Sequence, residues 1–108
     1  MLRHFILIVG LAAAATGAAE QSAQPQPPQP VVMYATAWCP YCAKARAYFA
    51  RTGTAYTEYD IERSADARAE FKRLGGRGVP LILVGNEKMA GFNELAFESL
   101  LVRAERVR

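Results

Sequence analysis

Two cysteines, Cys39 and Cys42, lie at the junction between a short apolar run and a segment with helical periodicity. The apolar run, Val31–Ala35, is rich in β-branched and aromatic residues and is apolar on both faces, which is typical of a strand buried on both sides. Pro40 can occupy the first turn of a helix because its missing N–H is not needed there. Beyond it, three residues share one helix face: Cys42, Ala45 and Phe49. The sequence therefore predicts that Cys39 lies at or beside a helix N-terminus.

Three further runs predict strands. Residues 55–60 alternate enough to form a second strand. Residues 81–84 follow Pro80, and a proline is tolerated at the start of a strand. A Gly-Asn turn at residues 85–86 then allows residues 88–90 to return as a short antiparallel strand. The last two strands are therefore expected to form a hairpin.

Capping residues and apolar spacing predict three helices. Gly53 ends the first helix, Ser64 caps the start of the second, and Asn93 caps the start of the third. The apolar faces of the later two helices are Ala67, Phe71 and Leu74, and Phe97, Leu100, Leu101 and Ala104. The order β-α-β-α-β-β-α predicts an α/β fold with a four-stranded mixed sheet flanked by helices, because the first strand, helix and second strand form a parallel unit.

The first thirty residues differ from the rest of the chain. Residues 1–19 combine a positive charge, an apolar run and small residues, which predicts a signal peptide cleaved near Ala18 or Ala19. An uncleaved N-terminal anchor is the alternative, because the apolar stretch is nearly long enough to span a bilayer. Residues 20–30 are rich in proline and glutamine and cannot bury enough surface to fold, so they predict an extended linker. The folded domain is expected to span residues 31–108.

Length and charge narrow the classes of function. The chain has 108 residues, which suits one compact domain. Its formal net charge is +3, and the basic residues are interspersed with acidic ones except for a C-terminal arginine cluster, which suits the negative end of a last helix. The sequence therefore predicts no binding to nucleic acid.

The cysteine pair allows a metal site, a structural disulfide or a reactive dithiol. A closed zinc site needs four ligands, whereas the chain has two cysteines and one histidine, His4, in the predicted signal peptide. An iron–sulfur cluster shared between two chains stays open. A disulfide across two intervening residues closes too small a loop to stabilise the fold much. A helix N-terminus instead favours a thiolate at Cys39, and Cys42, one turn on, can attack a mixed disulfide formed there. The sequence favours a redox pair with Cys39 as nucleophile and Cys42 as resolving thiol.

Three motifs together resemble the glutaredoxins and related small redoxins: Cys-Pro-Tyr-Cys at residues 39–42, Gly-Val-Pro at residues 78–80 and Ala-Gly-Phe at residues 90–92. The resemblance covers essentially all of residues 31–108. It implies a thioredoxin fold with strand order 2-1-3-4 and a cis peptide bond between Val79 and Pro80. It also implies a thiol–disulfide oxidoreductase that reduces protein disulfides or glutathione mixed disulfides, with the substrate chain added as a strand at the cis-proline loop.

The resemblance also implies roles for residues around the cysteines. Five residues support the active site: Trp38, Pro40, Tyr41, Val79 and Pro80. Seven contact glutathione or substrate: Tyr41, Arg77, Val79, Pro80, Gly91, Phe92 and Asn93. No metal and no tightly bound cofactor are expected, and glutathione is the expected co-substrate. The expected partners are disulfide-containing or glutathionylated proteins. The protein is expected to be a monomer that meets the membrane only if its N-terminal segment is uncleaved.

Several positions depart from the family pattern. Thr36 stands where glutaredoxins usually carry a lysine, Gly78 where they carry a threonine, and Ala90 where they carry a glycine. Trp38, directly before the first cysteine, is instead similar to the tryptophan of thioredoxins. Two alternatives therefore stay open: a thiol oxidant or thioredoxin-like exchange protein, and a non-catalytic peptide-binding module with an inert disulfide. The signal peptide predicts a periplasmic location in a Gram-negative bacterium.

Overall fold

The computed structural model of the protein describes Gly10 and residues 29–106. Apart from Gly10, the predicted signal peptide or anchor lies outside the described residues, as does most of the predicted linker. Seven elements follow one another: β1 (Val31–Ala35), α1 (Pro40–Thr52), β2 (Thr57–Asp60), α2 (Ala65–Arg73), β3 (Leu81–Val84), β4 (Glu87–Ala90) and α3 (Glu94–Arg106). The predicted order of strands and helices is confirmed. Among the described residues, no helix is both long and apolar enough to cross a membrane.

The four strands form one mixed sheet in the order β2-β1-β3-β4. β1 pairs in parallel with β2, and β3 pairs antiparallel with both β1 and β4. β1 and β3 are the central strands, and most of their side chains are buried. β2 begins at Thr57, two residues later than predicted, because its pairing with β1 starts where Thr57 lies opposite Val32. β4 begins at Glu87, one residue earlier than predicted, because Glu87 pairs with Val84 across a two-residue turn.

Helices cover both faces of the sheet. α1 and α3 pack on one face, around a core whose largest buried side chains are Met33, Phe49, Ile82, Phe97 and Leu100. α2 packs on the other face, around a smaller cluster of Tyr34, Ala67, Phe71 and Leu81. Because successive residues of a strand point to opposite faces, β1 contributes Met33 to one core and Tyr34 to the other. The apolar helix faces predicted from spacing are the faces that the fold buries.

The predicted helix ends are also confirmed. α1 begins with Cys39 as its N-cap, and Gly53 ends it in a left-handed conformation with φ 67°. Oγ of Ser64 accepts a hydrogen bond from the backbone N–H of Ala67 at the start of α2. Oδ1 of Asn93 accepts one from the N–H of Ala96 in the first turn of α3. The Ser64 and Asn93 side chains each satisfy a backbone donor that has no partner within its own helix.

Candidate active site

Cys39 joins the end of β1 to the start of α1. A short turn after β1 leads into Cys39, which has an extended backbone with φ −71° and ψ 119°, and Pro40 opens the helix. Sγ of Cys39 accepts a hydrogen bond from the backbone N–H of Cys42 across 3.2 Å. Hydrogen bonds from helix N-terminal amides favour the anionic form of a thiol. The structure therefore places Cys39 where the sequence predicts it, at the helix N-terminus.

Cys42 lies one turn further along α1 and is completely buried, whereas Cys39 is 4% exposed. Both cysteines are free thiols. The pKa of the Cys42 thiol is raised to about 12, mainly by burial and in addition by the hydrogen bond with Cys39. The backbone of Thr36 and the charge of Arg46 act in the opposite direction. Cys42 is therefore protonated at neutral pH, which suits a thiol that acts only after Cys39 has reacted.

The loop before β3 lies against the first cysteine. The peptide bond between Val79 and Pro80 is cis. The thiol of Cys39 donates a hydrogen bond to the carbonyl oxygen of Val79, with 3.5 Å between sulfur and oxygen. On the far side of the loop, the carbonyl of Pro80 accepts a hydrogen bond of 2.8 Å from the N–H of Gly91. The three motifs that resemble the glutaredoxins are thus brought together at one end of the sheet.

An open cleft of about 810 Å³ runs beside Cys39. We call it the active-site cleft; its walls include Trp38, Tyr41, Glu62, Arg68, Lys72, Arg77 and Val79. Tyr41 and Arg77, both predicted to contact glutathione, do line this cleft. Sequence reasoning missed Glu62, Arg68 and Lys72. The spacing of Arg68 and Lys72, four residues apart on α2, was a signal that they share one helix face.

The residues that line the active-site cleft include more positive than negative charges. Among residues 29–106, no salt bridge involves Arg68, Lys72 or Arg77. The carboxylate of Glu62 instead accepts a hydrogen bond from Nε1–H of Trp38, a residue that is 70% exposed. The active-site cleft thus presents three cations to a ligand, and its one carboxylate already has a partner. Such a surface attracts groups that carry negative charge.

The last three predicted contact residues lie on the other side of Tyr41. Gly91, Phe92 and Asn93 line a separate hollow of about 280 Å³ that Tyr41 also borders. Phe92 packs against the aromatic rings of the main core, with its centroid 5.6 Å from that of Tyr48. Oδ1 of Asn93 is occupied in capping α3. Tyr41 therefore lies between the predicted contacts in the active-site cleft and those in the hollow. A ligand that used both groups would have to extend past Tyr41.

Thr36 occupies an unexpected environment. It is 3% exposed, and within the described part of the chain its hydroxyl oxygen has no hydrogen-bond partner. Its carbonyl accepts a hydrogen bond of 3.1 Å from Nη2 of Arg46. A buried hydroxyl is not a substitute for the exposed ammonium group that glutaredoxins usually carry at this position. Arg46 was not predicted, although it follows Cys42 at the helical spacing of four residues.

Two thiols that can join across one helical turn, on a sheet of this topology and beside a cis-proline loop, define a thiol–disulfide oxidoreductase of thioredoxin-like fold. Comparison with known proteins identifies the family. The family model described as Glutaredoxin matches residues 31–89. The chain belongs to the glutaredoxin family and is a glutaredoxin-like thiol–disulfide oxidoreductase.

Individual relatives agree with this assignment. A glutaredoxin of Pseudomonas aeruginosa is 39% identical over 67 residues, which cover 61% of this chain and 80% of the relative. The solution structure of a glutaredoxin from Brucella melitensis is 35% identical and has a TM-score of 0.54, covering 70% of this chain and 85% of that one. The crystal structure of a mutant thioredoxin-like protein is 26% identical and has a TM-score of 0.62, covering 67% of this chain and 94% of that one. The predicted thioredoxin fold and glutaredoxin family are confirmed.

Proposed function

We propose that the protein is an exported glutaredoxin that uses glutathione to reduce protein disulfides and glutathione mixed disulfides. The observation that carries the proposal is the position of Cys39, with Sγ 3.5 Å from the Val79 carbonyl and beside three cations that have no salt-bridge partner among residues 29–106. A peptide that pairs with the Val79 backbone as an added strand brings its own sulfur close to Cys39. Glutathione is such a peptide, and its two carboxylates suit a cationic cleft.

The two thiols divide the reaction between them. The Cys39 thiolate attacks one sulfur of the substrate disulfide, the disulfide bond breaks, and the other sulfur leaves as a thiolate with the bonding electron pair. Cys42 then loses its proton to water and attacks Sγ of Cys39, which releases the second substrate sulfur and leaves the Cys39–Cys42 disulfide. Two glutathione molecules return the pair to dithiol and become oxidised glutathione. When the substrate is a glutathione mixed disulfide, one glutathione thiolate can replace Cys42 in the second step.

Charge removal in the active-site cleft tests the use of glutathione. Arg77→Gln removes a cation from the cleft, and Arg106→Gln is the matched control because Arg106 lies in the last turn of α3. We expect Arg77→Gln to raise the KM for glutathione severalfold and Arg106→Gln to leave it unchanged. Equal KM values for the two variants and the unmodified protein would count against the proposed glutathione contact.

Direct exchange with protein dithiols, as in thioredoxins, is a second candidate. Thr36 is buried without the lysine that usually helps to hold glutathione, and the Glu62 carboxylate stands in the active-site cleft beside Trp38. Both features weaken the attraction for a small peptide with two carboxylates and leave protein disulfides as substrates. The ratio of kcat/KM for a disulfide-bonded protein to that for a glutathione mixed disulfide distinguishes the candidates, because a high ratio favours direct exchange.

The proposed export depends on residues 1–19, and its support is their charge and apolar pattern. Expression of the full chain in a Gram-negative host, followed by cell fractionation and intact-mass measurement, tests it. A periplasmic product shortened to about residue 19 or 20 is the expected result. A full-length product in the membrane fraction indicates the anchored alternative, and a full-length cytoplasmic product contradicts export.

A further inference from the structure

A half-buried ion pair lies one turn of α1 beyond the resolving cysteine. Nε and Nη2 of Arg46 donate hydrogen bonds of 2.8 and 2.7 Å to the two carboxylate oxygens of Glu58, so the pair is bidentate. Nη2 also donates to the carbonyl of Thr36. The side chains of Arg46 and Glu58 are only 30% and 28% exposed. Arg46 of α1 is therefore held at two points, by β2 and by the turn that leads from β1 to the cysteines.

Arg46 and Cys42 lie on neighbouring turns of α1. The two residues are four apart on α1, so their side chains lie on the same side of the helix one turn from each other. Their charges interact, because Arg46 lowers the pKa of the Cys42 thiol and the thiolate in turn raises the pKa of Arg46. The other groups that titrate or carry charge nearby are Cys39 just before α1, Glu58 on β2, and Tyr56 just before β2. Arg46 supplies the positive charge in this set.

We propose that Arg46 is a positioning residue for the resolving step, in which its guanidinium stabilises the Cys42 thiolate as that thiolate attacks the mixed disulfide on Cys39. In that step Cys42 gives its proton to water, a bond forms between Sγ of Cys42 and Sγ of Cys39, and the bond from Cys39 to the substrate sulfur breaks. The substrate sulfur leaves as a thiolate with the electron pair. The inference rests on the oxidoreductase activity of the family and not on the proposed use of glutathione.

The expected size of the effect follows from two opposing trends. Loss of the cation raises the pKa of the Cys42 thiol, so the thiolate fraction at neutral pH falls, by about tenfold for an effect of ordinary size. A more basic thiolate is a better nucleophile, with a Brønsted coefficient of about 0.4 to 0.5, so the net loss of rate is about three- to fourfold. The equilibrium between dithiol and disulfide should not change, because at neutral pH neither state carries charge on Cys42. Forward and reverse rates should therefore fall equally.

The resolving step can be observed alone with dithiobis(nitrobenzoate) at one equivalent. Attack by Cys39 releases a first nitrobenzoate thiolate, and resolution by Cys42 releases a second, so stopped-flow absorbance separates the two steps. We expect Arg46→Met to slow the second phase at least about threefold, leaving the first phase and the reduction potential unchanged. Arg46→Lys, which keeps the positive charge, should restore most of the second phase.

Glu58→Gln distinguishes two roles of Arg46: electrostatic stabilisation of the Cys42 thiolate, and a purely structural contact between α1 and β2. It keeps the guanidinium and the bond to the Thr36 carbonyl but removes the opposing negative charge, so the second phase should be as fast as in the unmodified protein or faster. Slower second phases in both Arg46→Met and Glu58→Gln would show that the ion pair only braces the fold and would overturn the proposal. An unchanged second phase in Arg46→Met, or a shifted reduction potential, would overturn it as well. If Arg46→Met does not fold, Arg46→Lys and Glu58→Gln still show whether positive charge at residue 46 speeds the second phase.

Discussion

The backbone N–H of Cys42 donates a hydrogen bond to Sγ of Cys39 across 3.2 Å, so the residue proposed to carry the resolving thiol also holds the sulfur of the proposed nucleophile. The bond exists because Cys39 is the N-cap of α1 and Cys42 contributes one of the free amides of its first turn. The same turn buries the Cys42 side chain completely. One helix end therefore places the two thiols in different environments, because Sγ of Cys39 accepts a backbone hydrogen bond from the first turn whereas Cys42 is completely buried.

Single serine substitutions should separate the two roles. Cys39→Ser removes the proposed nucleophile, so disulfide exchange should be abolished. Cys42→Ser leaves the nucleophile intact but removes the resolving thiol, so a stable mixed disulfide on Cys39 should accumulate. Intact-mass measurement after incubation with oxidised glutathione detects the adduct, and matching unfolding midpoints establish that both variants are folded. Full activity in Cys39→Ser would show that the assigned mechanism is wrong.

The reduction potential of the Cys39–Cys42 pair should decide the direction of electron transfer. A value of about −200 to −230 mV, as in glutaredoxins, is expected for glutathione-coupled reduction. A value near about −120 mV would indicate an oxidant of exported thiols, since that range belongs to strongly oxidising dithiols. Equilibration with glutathione buffers and measurement of the oxidised fraction gives the potential. A value below about −300 mV together with slow exchange would indicate an inert disulfide.

Most of the fold was predictable because local signals agreed with one another. The apolar run of β1, the proline after Cys39, the caps at Ser64 and Asn93 and the glycine after α1 each set one boundary that the structure reproduces. The start of β2 was placed wrongly, because β2 begins where it pairs with Val32 of β1, and that register depends on a contact between distant residues. Such register cannot be deduced from the alternation of β2 alone.

The site was predictable only where its residues lie close in sequence or belong to the family motifs. The cysteines and the Val79-Pro80 loop meet as expected. Glu62 enters the active-site cleft through the turn after β2, and its bond to Trp38 joins residues 24 positions apart. Arg46 acquires its environment from Glu58, on a strand whose pairing partner is β1. The local sequence does not show which charged residue will pair with a residue that is distant along the chain.

Alkaline pH should destabilise the reduced protein through Cys42. The pKa of this thiol is raised by burial from an ordinary value of 9.0 to about 12 in the folded protein. The stability that comes from keeping the thiol neutral is therefore present below about pH 9 and is lost as the pH rises toward 12, because the unfolded chain ionises first. Denaturant unfolding of the reduced protein from about pH 8 to about pH 11 should show this loss.

Reduced Cys42→Ser is the matched control for the alkaline titration, because it keeps Cys39 and both buried tyrosines, Tyr34 and Tyr48. The pKa values of these tyrosines are also raised by burial, so they contribute to alkaline destabilisation in either protein. The free energy of unfolding should fall more steeply with pH in the unmodified reduced protein than in Cys42→Ser. Parallel curves for the two proteins would contradict a strongly raised pKa at Cys42.

Thr36→Val should stabilise the protein. The Thr36 hydroxyl is buried and has no hydrogen-bond partner among the described residues, so the fold bears the cost of removing it from water without compensation. Valine keeps the branched shape and replaces the hydroxyl with a methyl group, so the free energy of unfolding should rise by about 1 kcal/mol. Thr57→Val, at an exposed position of β2, is the control and should change stability little. If Thr36→Val instead lowers stability or slows resolution by Cys42, the hydroxyl has a partner in solution, and Thr36 contributes to the active site through its side chain.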